Sequence, residues 1–190
     1  PYYDKAGNLE IYVHARGKPI RYGATAPCYD NHFMSVGYDK YGDLLSEASY
    51  QYSASYSGDF YYLPAKGKTL SCIDVPGPRS SWNWYEVFSI LWDGKYWVID
   101  SYDLYRYSIN IKAQYVDTIT LSGEGYLGPT AIYRKSLNAY GTQLVGTSGY
   151  LYGGTPELTY WKYPAGGSPI FQITSKDLDT PYGVAISLKP

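Results

Sequence analysis

Charge, cysteine, histidine and long apolar runs are all scarce in this chain, and each shortage removes a class of function. Charged side chains are 17% of the sequence, against the roughly 25% that is usual. The 16 basic residues meet 17 acidic ones, for a net charge of -1, so no global field gathers DNA, RNA or an anionic membrane. Apart from Arg134 with Lys135 and Lys66 with Lys68, the basic residues are scattered. The basic-plus-aromatic pattern of single-strand binders is missing, and nucleic acid is not an expected partner. Apolar runs reach only about five residues, far short of the ~20 that span a bilayer as a helix. Pro1 is followed by Tyr2, Tyr3 and Asp4 rather than a basic flank and an apolar stretch, so a soluble chain without a signal or membrane insertion is expected. Beginning at Pro1 rather than Met, it reads as a processed product or a fragment.

The two cysteines, Cys28 and Cys72, form no CxxC or Cys/His cluster of zinc spacing, and no metal site or cofactor is expected. Two alternatives stay open for them. One is a disulfide closing a loop of about 45 residues, worth ~3 to 4 kcal/mol in the chain-entropy model; the other is a pair of buried thiols. Only His14 and His32 could serve as neutral-pH bases. His32 with Cys28 and Asp30 makes a triad on paper, but triads assemble in space from separate elements and no nucleophile-elbow sequence is present. Glu47, Glu86, Glu124, Glu157, Asp59, Asp74, Asp93 and Asp100 could supply the carboxylate pair of a glycoside hydrolase. Their spacing singles out no pair. Asp39, Asp43 and Asp59 lack the alternating pattern of a calcium-binding loop.

What is abundant is tyrosine, 26 residues in 190, with 20 glycines and 12 prolines spread throughout. Turn formers alternating with β-favouring Tyr, Val, Ile and Thr predict an all-β chain with very little helix. The clearest hairpin is Ser89 to Ile99, in which Asp93-Gly94 suits a type I′ turn between two β-rich arms. A second runs from Gly149 to Trp161 with Gly153-Gly154 at its turn, and a third lies around Tyr38 to Asp43. Period-2 alternation sets Leu9, Ile11 and Val13 against Glu10, Tyr12 and His14, and Val116, Thr118 and Thr120 against Asp117, Ile119 and Leu121. The best helical segment, Leu44 to Tyr50, lacks a 3.6-residue apolar stripe and is expected to form at most one turn.

The two halves share a faint pattern. Ile11 to Gly17 matches Ile119 to Gly125 as Ile, x, Val or Leu, x, small, charged, Gly. Tyr96 to Leu104 aligns without gaps to Ile170 to Leu178, sharing Ile99/Ile173, Ser101/Ser175, Asp103/Asp177 and Leu104/Leu178. The pattern suggests two small antiparallel β-sandwich or barrel-like modules in tandem, at 1–112 and 113–190, the first carrying an aromatic-rich insertion at about 27–85. A strand ending Ser122-Gly123-Glu124-Gly125, then Tyr133, then Phe171 and Ile173 leading to Asp177-Leu178 and Tyr182 resembles the short β-modules repeated in phage tail and virion proteins and in some cell-surface proteins. The resemblance implies a structural or attachment role.

Aromatic clusters offer the contact chemistry. Tyr50, Tyr52 and Tyr56 share one strand face, with Phe60, Tyr61 and Tyr62 beyond. Trp82, Trp84 and Tyr85, beside Arg79 and Asn83, follow a Pro-Gly-Pro turn, and Trp161 with Tyr160 and Tyr163 forms a second group. Such rings stack on sugars or other proteins while the polar neighbours bind hydroxyls; in a chain poor in leucine most tyrosines must also build core. Trp92 and Trp97 are expected in the core. The candidate ligand-binding residues are therefore Trp82, Trp84, Tyr85, Arg79, Asn83, Trp161 and Tyr163. The expected function is a non-enzymatic structural or attachment protein, extracellular or on a virion surface, contacting copies of itself, other structural subunits or glycans. A soluble carbohydrate-binding module or lectin is the alternative, and a secreted glycoside hydrolase a lesser one.

Overall fold

The computed structural model describes residues 2–3, 9–11, 18–24, 35–47, 57–77, 87–101, 103–110, 112–122, 127–136, 139–148, 157–174 and 184–186. Over these the chain is all-β, without helix. Seven strands form the first sheet: β1 (Tyr2–Tyr3), β2 (Leu9–Ile11), β3 (Ile20–Ala24), β4 (Val36–Tyr38), β5 (Leu44–Glu47), β6 (Ser57–Leu63) and β7 (Thr69–Pro76). Their spatial order is β1-β2-β3-β7-β6-β5-β4, antiparallel except where β3 meets β7 through Gly23↔Thr69 and Ala24↔Leu70. The second sheet is a four-stranded meander of β8 (Ser89–Trp92), β9 (Trp97–Asp100), β10 (Leu104–Ile109) and β11 (Ala113–Ile119). The third is another, of β12 (Leu127–Arg134), β13 (Gly141–Ser148), β14 (Glu157–Lys162) and β15 (Phe171–Thr174).

Side-chain alternation stacks these sheets in three layers. Leu45, Phe60, Tyr62, Ile73 and Val75 of the first sheet pack on Ile90, Trp97, Ile99, Tyr105 and Tyr107 of the second. The residues between them, Val98 and Leu104, point the other way onto Leu144, Trp161 and Tyr163 beside the third sheet. The middle of the second sheet is thus buried on both faces: all four residues of β9 are buried, whereas Gln114, Tyr115 and Val116 of the edge strand β11 are exposed. On the far face of the first sheet Leu9, Leu44, Tyr61, Leu63 and Leu70 make a separate cluster. Two of the buried tyrosines place their hydroxyls on acceptors: Tyr107 donates to the Pro76 carbonyl at 2.8 Å and Tyr62 to the Asp43 carboxylate. A ring that is apolar in its body and polar at its tip can replace leucine inside most cheaply where such a partner exists.

The hairpins fall where expected, with altered details. Trp92 pairs with Trp97, so the β8–β9 connection spans Asp93 to Tyr96, and only Gly94 has positive φ there, at 108°. A type I′ turn needs positive φ at both central residues. Here the Asp93 carboxylate accepts the N–H groups of Lys95 and Tyr96 at 2.8 and 2.7 Å, and this side-chain-closed turn prevails. The β4–β5 turn is built the same way, with Asp39 Oδ1 accepting from the N–H of Tyr41 and of Asp43, and with Gly42 at φ 89°. In the β13–β14 hairpin the partner of 157–162 is the earlier segment ending at Ser148; Gly149 to Pro156 lie outside the described residues.

One expectation of secondary structure is corrected. Leu44 to Glu47 is a strand rather than a turn of helix, because alternation sends Leu44 and Leu45 into two different cores; Ala48 to Tyr50 lie outside the described residues. The aligned half-repeats occupy unlike places: Ile99 is buried on an inner strand of its sheet, while Ile173 is exposed on the edge strand β15. The residue 112/113 boundary falls in the turn between β10 and β11, which pair with each other inside one sheet.

Candidate functional site

The third sheet packs its inner face on the core, while on its outer face Val145 and Thr147 are buried as well and Tyr133, Leu158 and Tyr160 are half-buried. Along β14, Thr159 and Trp161 point inward, while Leu158, Tyr160 and Lys162 alternate outward. Trp161 is 0% exposed and Tyr163 4%, so neither is the ligand-contacting ring expected from the sequence. Both are core: Trp161 packs on Val98, Leu104 and Leu144 and points its indole N–H to the Ser122 carbonyl at 3.4 Å. The other expected contact residues, Arg79, Trp82, Asn83, Trp84 and Tyr85, lie outside the described residues, as do Cys28, His14 and His32. Cys72 is in a disulfide.

The acidic groups that could do chemistry are mostly engaged in holding the layers together. The apolar interior between the second and third sheets is flanked by two polar locks. At the β8–β9 turn, Asp93 is fully buried. Its Oδ2 accepts the Tyr163 hydroxyl at 2.6 Å, and Arg106 Nη1 lies 3.8 Å away. Burial, with the adjacent Asp93 carboxylate, pushes the Tyr163 hydroxyl far above the ordinary phenol range, so it stays a donor. Arg106 is held by both oxygens of Asp117 across the β10–β11 ladder, which raises the guanidinium pKa further, and stacks over the Tyr96 ring at 5.3 Å. Arg134, on β12, is lowered chiefly by desolvation.

At the opposite end of the same interface, Thr130 of β12 donates its hydroxyl to Asp100 Oδ2 at 2.7 Å and its N–H to Ser89 Oγ at 3.0 Å. Asp100 is 0% exposed, and its Oδ1 has no hydrogen-bond partner among the described residues. Desolvation pushes its pKa up to about 8, against the lowering effect of the bonds from Thr130. A raised carboxyl is one half of what a glycosidase needs. Asp100, however, is sealed inside the sandwich and faces a threonine. Asp39 and Asp43 close turns, Asp43 accepting from Tyr62 and from the Ala65 N–H. Among the described residues, no three His, Cys, Asp or Glu side chains gather as a metal site.

Part of the outer face of the third sheet forms a pocket, and its last strand is exposed. Tyr133 of β12, Gln143 and Val145 of β13 and Tyr160 of β14 line a pocket of about 240 Å³ with the segment Val184, Ala185 and Ile186. Pairing of Tyr133 with Gln143, of Val145 with Tyr160, and of Tyr160 with Phe171 brings these residues into adjoining rows. The row ends on β15, where the Tyr160 and Phe171 rings meet at 5.8 Å and 51°. All four residues of β15 are exposed, Phe171 at 59%, and Ile170 just before it is 53% exposed. Sequence reasoning missed Tyr133, Phe171 and Ile173. Alternation in 157–162 shows that Tyr160 and Trp161 must face opposite ways; which of them faces out depends on what the sheet packs against. The chain matches no protein-family model and no curated protein sequence.

Proposed function

We propose that this chain is a non-enzymatic structural or attachment module, at a virion or cell surface, working through contacts of its outer β surface with other protein subunits. The observation that carries the proposal is the third sheet's outer face and edge, where Phe171, Ile170 and Ile173 stand exposed together. Grouped apolar exposure beside a strand edge favours protein contact, because single exposed apolar residues are ordinary and clustered ones are not. The engagement of Asp93, Asp117 and Asp43 in locks and turns fits a rigid part rather than a catalyst. The disulfide at Cys72 suits an oxidising compartment. Light scattering over a concentration series tests the reading: a defined oligomer or filament is expected, and a monomer near 21 kDa at every concentration would overturn it.

A glycan-binding reading rests on a separate observation, the Tyr133/Tyr160 pocket with its Gln143 amide. Aromatic faces beside an amide suit a sugar ring. On a glycan array Tyr160→Ala would abolish a wild-type signal if the pocket binds, and Trp82→Ala with Trp84→Ala would abolish it if the tryptophan segment does. No wild-type signal would sink the reading.

A further inference from the structure

We propose that the contact of β12 with the β8–β9 hairpin through Thr130, Ser89 and Asp100 is a pH-sensitive seam: ionisation of Asp100 parts this corner of the second and third sheets while their other contacts hold.

Among the described residues, polar groups join the two sheets at three places, and they differ in what a change of pH can do to them. At the β8–β9 turn the Gly141 N–H donates to the Asp93 carbonyl at 2.7 Å, and the Asp93 carboxylate has the Arg106 guanidinium 3.8 Å away. Beyond β11, the Gly167 N–H donates to the Thr120 carbonyl and the Ser122 N–H to the Gly167 carbonyl, both at 2.9 Å. Backbone bonds do not titrate, and a cation stands by Asp93. The third place is the Asp100 corner, where a buried carboxyl meets only neutral groups.

Every element packed on that carboxyl can be named. In its own sheet Asp100 pairs with Ser89 of β8 and Leu104 of β10. From the third sheet Thr130 of β12 donates its hydroxyl to Oδ2 at 2.7 Å. Behind Thr130 stand β13 and β14: a Cβ on Gly146 would lie 2.9 Å from Thr130 Cγ2 and 3.4 Å from Trp161 Cζ3. The charged groups of these elements are engaged elsewhere. Arg106 of β10 is held by Asp117, Arg134 of β12 feels Asp93, and Glu157 of β14 accepts from Gln172. Lys162 is exposed at the end of β14. Asp103 lies in the turn before β10, and neither it nor Asp93 acts on Asp100, whose environment is set by burial and by Thr130.

Burial holds the carboxyl near 8 while the corner is closed, against 3.8 once water reaches it. The higher value belongs to the closed state, so closure is fully favoured below about pH 4 and weakens about tenfold per pH unit until about pH 8. A carboxylate sealed among neutral groups is strongly disfavoured. Lifting β12 from β8 and β9 hydrates it without breaking the other two contacts, a local opening rather than unfolding. Such a motion wets Trp161 and the Val98, Leu104 and Leu144 side chains that it packs on, so this apolar surface becomes available on the alkaline side.

Amide hydrogen exchange of the full chain, followed residue by residue by NMR from pH 5 to 8, tests the seam. The Thr130 N–H crosses it to Ser89 Oγ at 3.0 Å, whereas the Gly141 N–H crosses the same interface at the Asp93 turn. Thr130 protection, relative to an unstructured chain at the same pH, is expected to fall about 10-fold per pH unit and to lie at least ~10-fold below that of Gly141 at pH 8. In Asp100→Asn, which is neutral throughout, the Thr130 series should be flat. Equal protection of the two amides at every pH would show that the sheets part only on global unfolding and would overturn the seam. Thr130 protection independent of pH in the wild type, or a slope that survives in Asp100→Asn, would overturn it as well. The first two outcomes are read on the wild type and stand even where the variant does not fold.

Discussion

Asp100 ties the second sheet to the third, and its burial sets how stability responds to pH. The carboxyl is fully buried, with Thr130 on one oxygen and no hydrogen-bond partner on the other among the described residues, and its pKa is pushed up to about 8 by desolvation, from the 3.8 expected of an exposed aspartate. Because the folded pKa lies above the unfolded one, the native state holds the proton more tightly. The contribution is therefore fully present below about pH 4 and is lost as pH rises toward about 8. Between those limits the loss is ~1.4 kcal/mol per pH unit, on the order of 5 kcal/mol in all. For a chain of this size that is roughly 3 to 5 °C in Tm per pH unit. Other groups also titrate, so the informative quantity is the difference between wild type and Asp100→Asn, whose amide stays neutral. Urea unfolding at half-unit steps from pH 4.5 to 8 should show wild type losing stability relative to Asp100→Asn throughout. A difference independent of pH would mean that Asp100 is ionised in the folded protein, and would refute the claim that burial outweighs the bonds from Thr130.

Three further outcomes follow from the packing. Gly37→Ala places a methyl 2.3 Å from the Ile90 carbonyl oxygen, and backbone cannot yield as a side chain can; a loss of about 2 to 4 kcal/mol is expected by denaturant unfolding. Tyr163→Phe removes the hydroxyl that Asp93 Oδ2 accepts inside the sheet interface and should cost about 1 to 3 kcal/mol, measured the same way. Reducing the disulfide at Cys72 should lower Tm, with a loss of ~3 to 4 kcal/mol if the loop-entropy argument holds; an unchanged Tm under reductant would show that the crosslink restrains nothing in the unfolded chain.

Much of the fold could be read along the chain because β-structure is locally encoded in turns and alternation. Asp93-Gly94 between two runs of β-formers marked a hairpin, and Asp39 to Asp43 another, since φ freedom and a carboxylate beside its own backbone act over a few residues. Ser89 to Ile99 placed Trp97 in the core correctly, because a ring on a strand with no polar neighbours has nowhere else to go. The strand at Leu44 was harder to see: its two adjacent leucines feed different cores, so neither a 2-residue nor a 3.6-residue stripe showed.

Local pattern determined which residues share a face, and tertiary structure alone decided which face meets water. Trp161 and Tyr160 are necessarily opposite on β14; stacking the third sheet on the second buried the tryptophan and left the tyrosine outside. The same stacking turned Asp93 and Asp100, turn-end carboxylates in the sequence, into buried locks with Tyr163 and Thr130, partners 70 and 30 residues away. Sheet order made β15 an edge and β9 an interior strand, although their sequences align. Alternation is a property of neighbours in the chain, whereas burial is a property of whatever the fold brings up against them.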